Sequence, residues 1–143
     1  MMKKDFSAVN LMDSVLEGSD LTTSFFKSSS LSNVKFDGSN LAGATFTASD
    51  LKAASFRNCT LDNASFKSSD LARACFDGLT LRGVVFDKSN LKDASFKGTI
   101  LKDVSFKYSD VKRAIFDGAT MDRITYAILK NNNAILTNII IVQ

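Results

Sequence analysis

Residues 54–76 read Ala54-Ser55-Phe56-Arg57-Asn58-Cys59-Thr60-Leu61-Asp62-Asn63-Ala64-Ser65-Phe66-Lys67-Ser68-Ser69-Asp70-Leu71-Ala72-Arg73-Ala74-Cys75-Phe76. A large apolar residue recurs at every fifth position and alternates in identity: Phe56, Leu61, Phe66, Leu71, Phe76. The residue two before each is small: Ala54, Cys59, Ala64, Ser69, Ala74. The positions between are mostly polar. On an α-helix, residues five apart lie about 140° apart, so these side chains would scatter around the barrel. On a continuous strand, an odd spacing sends successive large residues to opposite faces. Neither element buries them together. A strand of about three residues followed by a turn does, with the small and the large residue both pointing inward. Repetition of that unit winds the backbone into a solenoid whose turns pair with their neighbours.

Two patterns set the size of one turn. The Phe/Leu alternation favours an even number of pentapeptides, because Phe then stacks on Phe. Gly18, Gly38, Gly78, Gly98 and Gly118 fall on a 20-residue grid, with Asn58 in the missing slot. Asn is the usual substitute where a turn needs φ > 0. The spatial repeat is therefore expected to be 20 residues, four sides of five.

The runs Ser49-Asp50-Leu51, Ser69-Asp70-Leu71 and Ser89-Asn90-Leu91 resemble the tandem code of the pentapeptide-repeat proteins. The resemblance covers roughly residues 9–128. It implies an all-β fold, a right-handed four-sided parallel β-helix. It does not imply a single function, since that family includes topoisomerase-protecting proteins, toxin-immunity proteins and members without a known role.

The chain is read as a single domain, 1–143, in three segments. Residues 1–8 are an imperfect start: Phe6 occupies a large position, but Lys4 stands where a small inward residue belongs. This segment is expected to fold over the first coil as a partial cap. Residues 9–128 hold the period without a slip, about six coils and roughly 29 Å of solenoid at the usual strand spacing. Asp, Asn, Ser or Thr fills most slots before the large residue, as at Asp50, Thr60 and Asp70. Such side chains fix corners by bonding neighbouring backbone; a row of recognition groups is the competing reading. Residues 129–143 carry no charge after Lys130. Asn131 breaks the large inward series, yet Ala134 and Leu136 return to register, so a short β-rich C-terminal cap is expected. Its surplus of aliphatics makes Ile135, Leu136, Ile140 and Val142 candidates for self-association. Closure alone, and closure with homodimerisation, both remain open.

The 18 basic and 15 acidic residues leave a net charge of +3. That is neither a polyanion nor the charge of a strong nucleic-acid binder. Cys59 is inward and Cys75 outward on different sides, so a disulfide is not expected and a reducing, cytoplasmic compartment is. No signal-peptide pattern is read at the N-terminus. The longest apolar run, 139–142, is far too short for a bilayer span. With no histidine in the chain, Ser-His, Cys-His and His-metal chemistry drop out. The single, widely spaced glycines form no phosphate loop. The chain is therefore read as non-enzymatic, without cofactor or metal.

Grouped by side, the outward residues offer one surface signal. The column Glu17, Asp37, Arg57, Asp77, Lys97, Asp117 leans acidic, and two sides away Ser7, Lys27, Thr47, Lys67, Asp87, Lys107 leans basic. Turn chemistry with solubilising charge accounts for this blandly; a protein-binding face at Glu17, Asp37, Asp77 and Asp117 accounts for it more sharply. The leading functional reading is a non-catalytic interaction scaffold. Second comes protection of DNA gyrase or another topoisomerase by imitating duplex DNA, which the resemblance suggests. A duplex carries one negative charge per about 1.7 Å, and a +3 chain does not copy that globally. Direct nucleic-acid binding through Lys27, Lys67, Lys88 and Lys107 ranks third, because Phe25 and Tyr108 are the only candidate surface aromatics in the repeat.

Overall fold

Each pentapeptide is tied to the next coil by backbone hydrogen bonds that repeat around all four sides. The large residue's N–H donates to the carbonyl nineteen residues on, as from Phe46 to Ser65 and from Phe66 to Val85, both at 2.7 Å. The outward residue before it donates backwards, Ser65 N to Ala44 O at 2.9 Å. The corner residue donates forwards, Ser68 N to Asp87 O at 3.0 Å. The result, in a computed structural model that describes residues 4–143, is a right-handed, four-sided parallel β-helix. Parallel bridges join residues twenty apart on every side: Asp5 with Phe25, Asn10 with Ser30, Val15 with Lys35, Asp20 with Asn40. On the last side the bridges lengthen into strands β1 (Thr80–Arg82), β2 (Ile100–Lys102), β3 (Thr120–Asp122) and β4 (Ile140–Val142), ordered β1-β2-β3-β4.

The twenty-residue register stacks like on like. Phe6, Phe26, Phe46, Phe66, Phe86 and Phe106 form one column, with parallel rings 4.8–5.3 Å apart. Phe36, Phe56, Phe76, Phe96 and Phe116 form a second, at 4.7–5.4 Å. The columns meet edge to face, as between Phe66 and Phe76 at 5.7 Å and 82°. That geometry places positive ring edges against negative faces. Leucine columns fill the other two sides, and every Phe from 26 to 96 is fully buried.

The glycine grid proves less special than its spacing suggests. Gly18, Gly38 and Gly78 do share one corner, with positive φ. But every corner has positive φ, and residues such as Ala53, Arg73, Lys88 and Tyr108 adopt it as well. The cause is the turn itself, which needs a left-handed second residue whichever side it serves. Thr23 is the one β-branched residue at such a corner.

Serine has a distinct part on one inward column. The hydroxyls of Ser29, Ser49, Ser69, Ser89 and Ser109 donate to the carbonyls of Phe6, Phe26, Phe46, Phe66 and Phe86 in the preceding coil. Two of these oxygens also accept from backbone: Ser29 N–H donates to Ser49 Oγ and Ser49 N–H to Ser69 Oγ, both at 3.1 Å. Each hydroxyl thus satisfies a buried carbonyl, and those of Ser49 and Ser69 a buried N–H too. Ser24, on the neighbouring side, is equally buried, but its Oγ has no partner among the described residues.

Both ends depart from expectation. Residues 4–8 do not fold over the first coil. They run in register, with Phe6 N donating to Phe25 O at 2.7 Å and Ala8 N to Lys27 O at 2.9 Å. Lys4 is tolerated because its ammonium leaves the stack and donates to Asp20 O at 2.8 Å. Residues 1–3 of the expected cap lie outside the described residues.

At the other end the coil stops before Ile128, the expected limit, and the cap is not purely β. Helix α1 (Arg123–Asn131) follows β3 directly. Continued winding would put Ile128 at a positive-φ corner and the Asn131 amide in an inward apolar slot, both unfavourable. The helix avoids both. Asp122 caps its start by accepting from Thr125 N at 2.7 Å, and Asn132 Nδ2 donates to Ile128 O at 2.7 Å at its end. Leu129 turns its side chain fully into the core. The chain then regains register, with Ile135 bridging Ile115 and Ile140 pairing with Thr120.

Two measurements check this architecture. Phe66→Ala should cost about 3–5 kcal/mol in chemical denaturation, while Lys67→Ala, one residue on and outward, should stay within about 0.5 kcal/mol. Ser69→Ala removes a donor and an acceptor from buried backbone and should destabilise by about 1–3 kcal/mol. Ser24→Ala removes an unpartnered hydroxyl and should be neutral or stabilising; equal losses at the two serines would contradict the hydrogen-bond assignment.

Candidate functional site

The four sides differ in how their outward side chains are used. On the side that leans acidic, Asp37 Oδ1 accepts from Ser55 Oγ at 2.6 Å and from Arg57 N at 3.2 Å. Asp77 repeats this with Ser95 Oγ at 2.5 Å and Lys97 N at 3.0 Å. These carboxylates clamp one coil to the next and are half-buried in doing so. Among the described residues, the Asp117 side chain accepts from Asn138 Nδ2 alone, at 3.3 Å. Glu17 and Asp117 are the exposed members, and Arg57 and Lys97 stand between the acids, also exposed. The structure therefore brings Glu17, Asp37, Asp77 and Asp117 into one column but commits two of them to the scaffold.

The sequence signal for this clamp is an Asp followed eighteen residues later by Ser. It recurs on the opposite side, where Asp87 Oδ1 accepts from Ser105 Oγ at 2.5 Å and Lys107 N at 3.3 Å. Charge alone did not reveal it. On that side Lys27, Lys67 and Lys107 are exposed on alternate coils.

A third side carries the column Asp50, Asp70, Asn90, Asp110. Each side-chain oxygen accepts the backbone N–H two residues on, at 3.1 Å. These are corner-fixing side chains, as the sequence suggested. Lys52 bridges Asp50 at 3.5 Å and Asp70 at 3.8 Å, and Lys92 pairs with Asp110 at 3.4 Å. At the next corner Arg113 grips Asp93 through Nε and Nη2, at 2.8 and 3.2 Å. That hydrogen bond holds the Asp93 carboxyl below its ordinary pKa. Exposed pairs of this kind contribute little individually.

Neither cysteine is disulfide-bonded. Burial pushes the Cys59 thiol up to about 12, and its Sγ donates to Phe36 O at 3.1 Å, so it behaves as a core residue. Among the described residues, no group of His, Cys, Asp and Glu is placed to hold a metal ion. No helix among them is long and apolar enough to cross a membrane.

The C-terminal end is different in character. Ile140 is 55% exposed and Val142 44%, and beside them α1 presents Ile124 at 75% and Ile128 at 42%. Ile124 separates two open clefts, one lined by Val142 and the other by Val104, Phe106 and Ile128. Of the four tail residues singled out in the sequence, Leu136 is half-buried against the core, while Ile135 remains exposed. The two helical isoleucines were missed, because a five-residue pattern read through 128 assigns them to a coil.

A family model described as a pentapeptide repeat region matches residues 1–66 and 51–126. No curated protein matches the chain. Among solved structures it is similar to a pentapeptide repeat protein from the Arabidopsis thaliana thylakoid lumen, at 28% identity over 80% of this chain and 77% of that one, with a TM-score of 0.45. Rfr23 from the cyanobacterium Cyanothece 51142 matches at 17% identity over 97% and 88%, with a TM-score of 0.49. QnrB1, a plasmid-mediated fluoroquinolone resistance protein, matches at 17% identity over 98% and 90%, with a TM-score of 0.45.

Proposed function

The chain belongs to the pentapeptide-repeat family, and from that footing we propose that it is a non-catalytic scaffold whose side faces dock a protein partner. The carrying observation is the filled interior. Stacked rings less than 5.5 Å apart occupy the axis of the rod, leaving recognition to outward side chains held in register. The acidic-leaning side is the proposed partner face, with Glu17 and Asp117 at its ends as the groups free to change partners. Its two unpaired thiols fit a reducing, cytoplasmic setting.

A topoisomerase-directed role, the alternative, asks for a continuous anionic face. Here Asp37 and Asp77 already accept bonds from the next coil, and Arg57 and Lys97 interrupt the row. The scaffold reading therefore stands first. A supercoiling assay of DNA gyrase with a fluoroquinolone should show no protection by this chain.

The partner face is tested by affinity capture with Glu17→Lys/Asp117→Lys beside Lys67→Glu, each checked for native stability. A bound protein should survive the Lys67 change and be lost with the double variant. Retention by both variants would overturn this choice of face.

We also assign homodimerisation to the C-terminal end. Ile124, Ile128, Ile140 and Val142 form more exposed aliphatic surface than closure of the coil requires, and the outer edge of β4 is an unprotected strand edge. A two-fold partner would cover both and stop further stacking. Sedimentation equilibrium should give a dimer for the parent and a monomer for Ile140→Lys/Val142→Lys. A monomeric parent, or a dimeric variant, would remove this interface.

A further inference from the structure

Tyr108 is the one aromatic residue among the described corners with positive φ. The turn imposes that conformation at every corner, and here it holds out a ring that is 87% exposed. Its ring has no aromatic neighbour and its hydroxyl no hydrogen-bond partner among the described residues. The ring forms one wall of an open cleft of about 370 Å³ between this corner and the turn 131–133.

Three carboxylates in the adjoining columns are held by hydrogen bonds or ion pairs, while Asp103, one corner earlier in the same coil, is exposed. Asp87 accepts from Ser105 and Lys107 N, Asp93 from Arg113, and Asp110 pairs with Lys92 while accepting Lys112 N. Among the described residues, the ammonium groups of Lys88, Lys107 and Lys112 have no such partner. Lys88 occupies the same corner one coil before Tyr108, so their backbones are about 4.8 Å apart. Lys107 precedes Tyr108 in the chain, and Lys112 lines the cleft with it. Across the cleft Asn131 and Asn133 are exposed and offer amide donors and acceptors.

We propose that this corner is a binding site for single-stranded nucleic acid, with one base stacked on Tyr108 and the adjoining phosphates on Lys88, Lys107 and Lys112. An exposed ring flanked by unpaired ammonium groups suits a base and its backbone together, and stacking is tolerant of sequence because every base has a π-face. The exposed amides of Asn131 and Asn133 match the polar edge of a base. A duplex would present phosphates but no free base face, so the ring would gain nothing from it. The site is independent of the proposed partner face, which lies on a different side of the rod.

The test is fluorescence anisotropy of a labelled ten-nucleotide single strand at low salt, with a duplex of the same sequence as competitor. The chain has two tyrosines and no tryptophan, so quenching of tyrosine emission reports stacking directly, with Tyr126 as the internal reference. Tyr108→Ser should weaken binding about ten-fold and abolish the quench, while Tyr108→Phe should bind like the parent. Lys107→Ala/Lys112→Ala should lower the salt slope by about 1.4. Binding unchanged in Tyr108→Ser, equal competition by the duplex, or no binding at all would each overturn the site. All three substituted positions are exposed, and parental denaturation midpoints would show that a loss is local.

Discussion

Everything in this molecule depends on the demand that each coil hydrogen-bond to the next at a spacing of twenty residues. A parallel ladder fixes residue i beside residue i + 20, as Thr80 beside Ile100 and Thr120 beside Ile140. Side chains inherit that register. A phenylalanine therefore finds a phenylalanine above and below it, and a serine finds a carbonyl of the coil before. The rings stack because the backbone already holds them near 5 Å, and the stack in turn excludes water from the ladder. Neither would hold alone: isolated three-residue strands are too short, and a file of rings without a ladder has no register.

The same demand makes the ends the difficult part. Inside the rod every polar backbone group has a neighbour coil, but the last coil has none on its outer side. Helix α1 solves half of this problem, since its backbone bonds are made within the helix and its ends are capped by Asp122 on the Thr125 N–H and Asn132 on the Ile128 carbonyl. Its Leu129 and Tyr126 cover the core that the coil would otherwise expose. The returning segment closes the other half with β4, whose outer edge is left bare. Closure is thus apolar but incomplete, which is why the aliphatic surface lies at this end.

Surface charge in such a rod has two uses that composition does not separate. Asp37, Asp77 and Asp87 are clamps between coils, each matched with a serine eighteen residues on. Asp50, Asp70 and Asp110 fix corners. Once these are assigned, most basic side chains still lack an acidic partner among the described residues, and those around Tyr108 stand out only because they flank an exposed aromatic ring. The overall charge of +3 hides this, because it counts a clamped carboxylate and a solvated ammonium alike.

The period of five determined the solenoid by itself, because no helix or flat strand buries Phe56, Leu61 and Phe66 together. The alternation of Phe and Leu called for an even number of sides, and the twenty-residue glycine grid for four, and hence determined which residues stack. These are local and repeated constraints, so one pattern states them many times over. What happens once was decided by tertiary structure. Ile124 and Tyr126 fit the inward pattern, and only the closing of the coil end, with Ile128 and Asn131 unable to follow, turns 123–131 into a helix. Glycine spacing suggested one special corner, whereas the turn geometry imposes positive φ at all of them. The acidic column was legible as a column, but its division into clamps and free groups needed the position of Ser55 and Ser95 one coil away. Periodicity specifies which residues are neighbours; which of their atoms bond is settled by distances of a few tenths of an ångström that a pattern of letters does not carry.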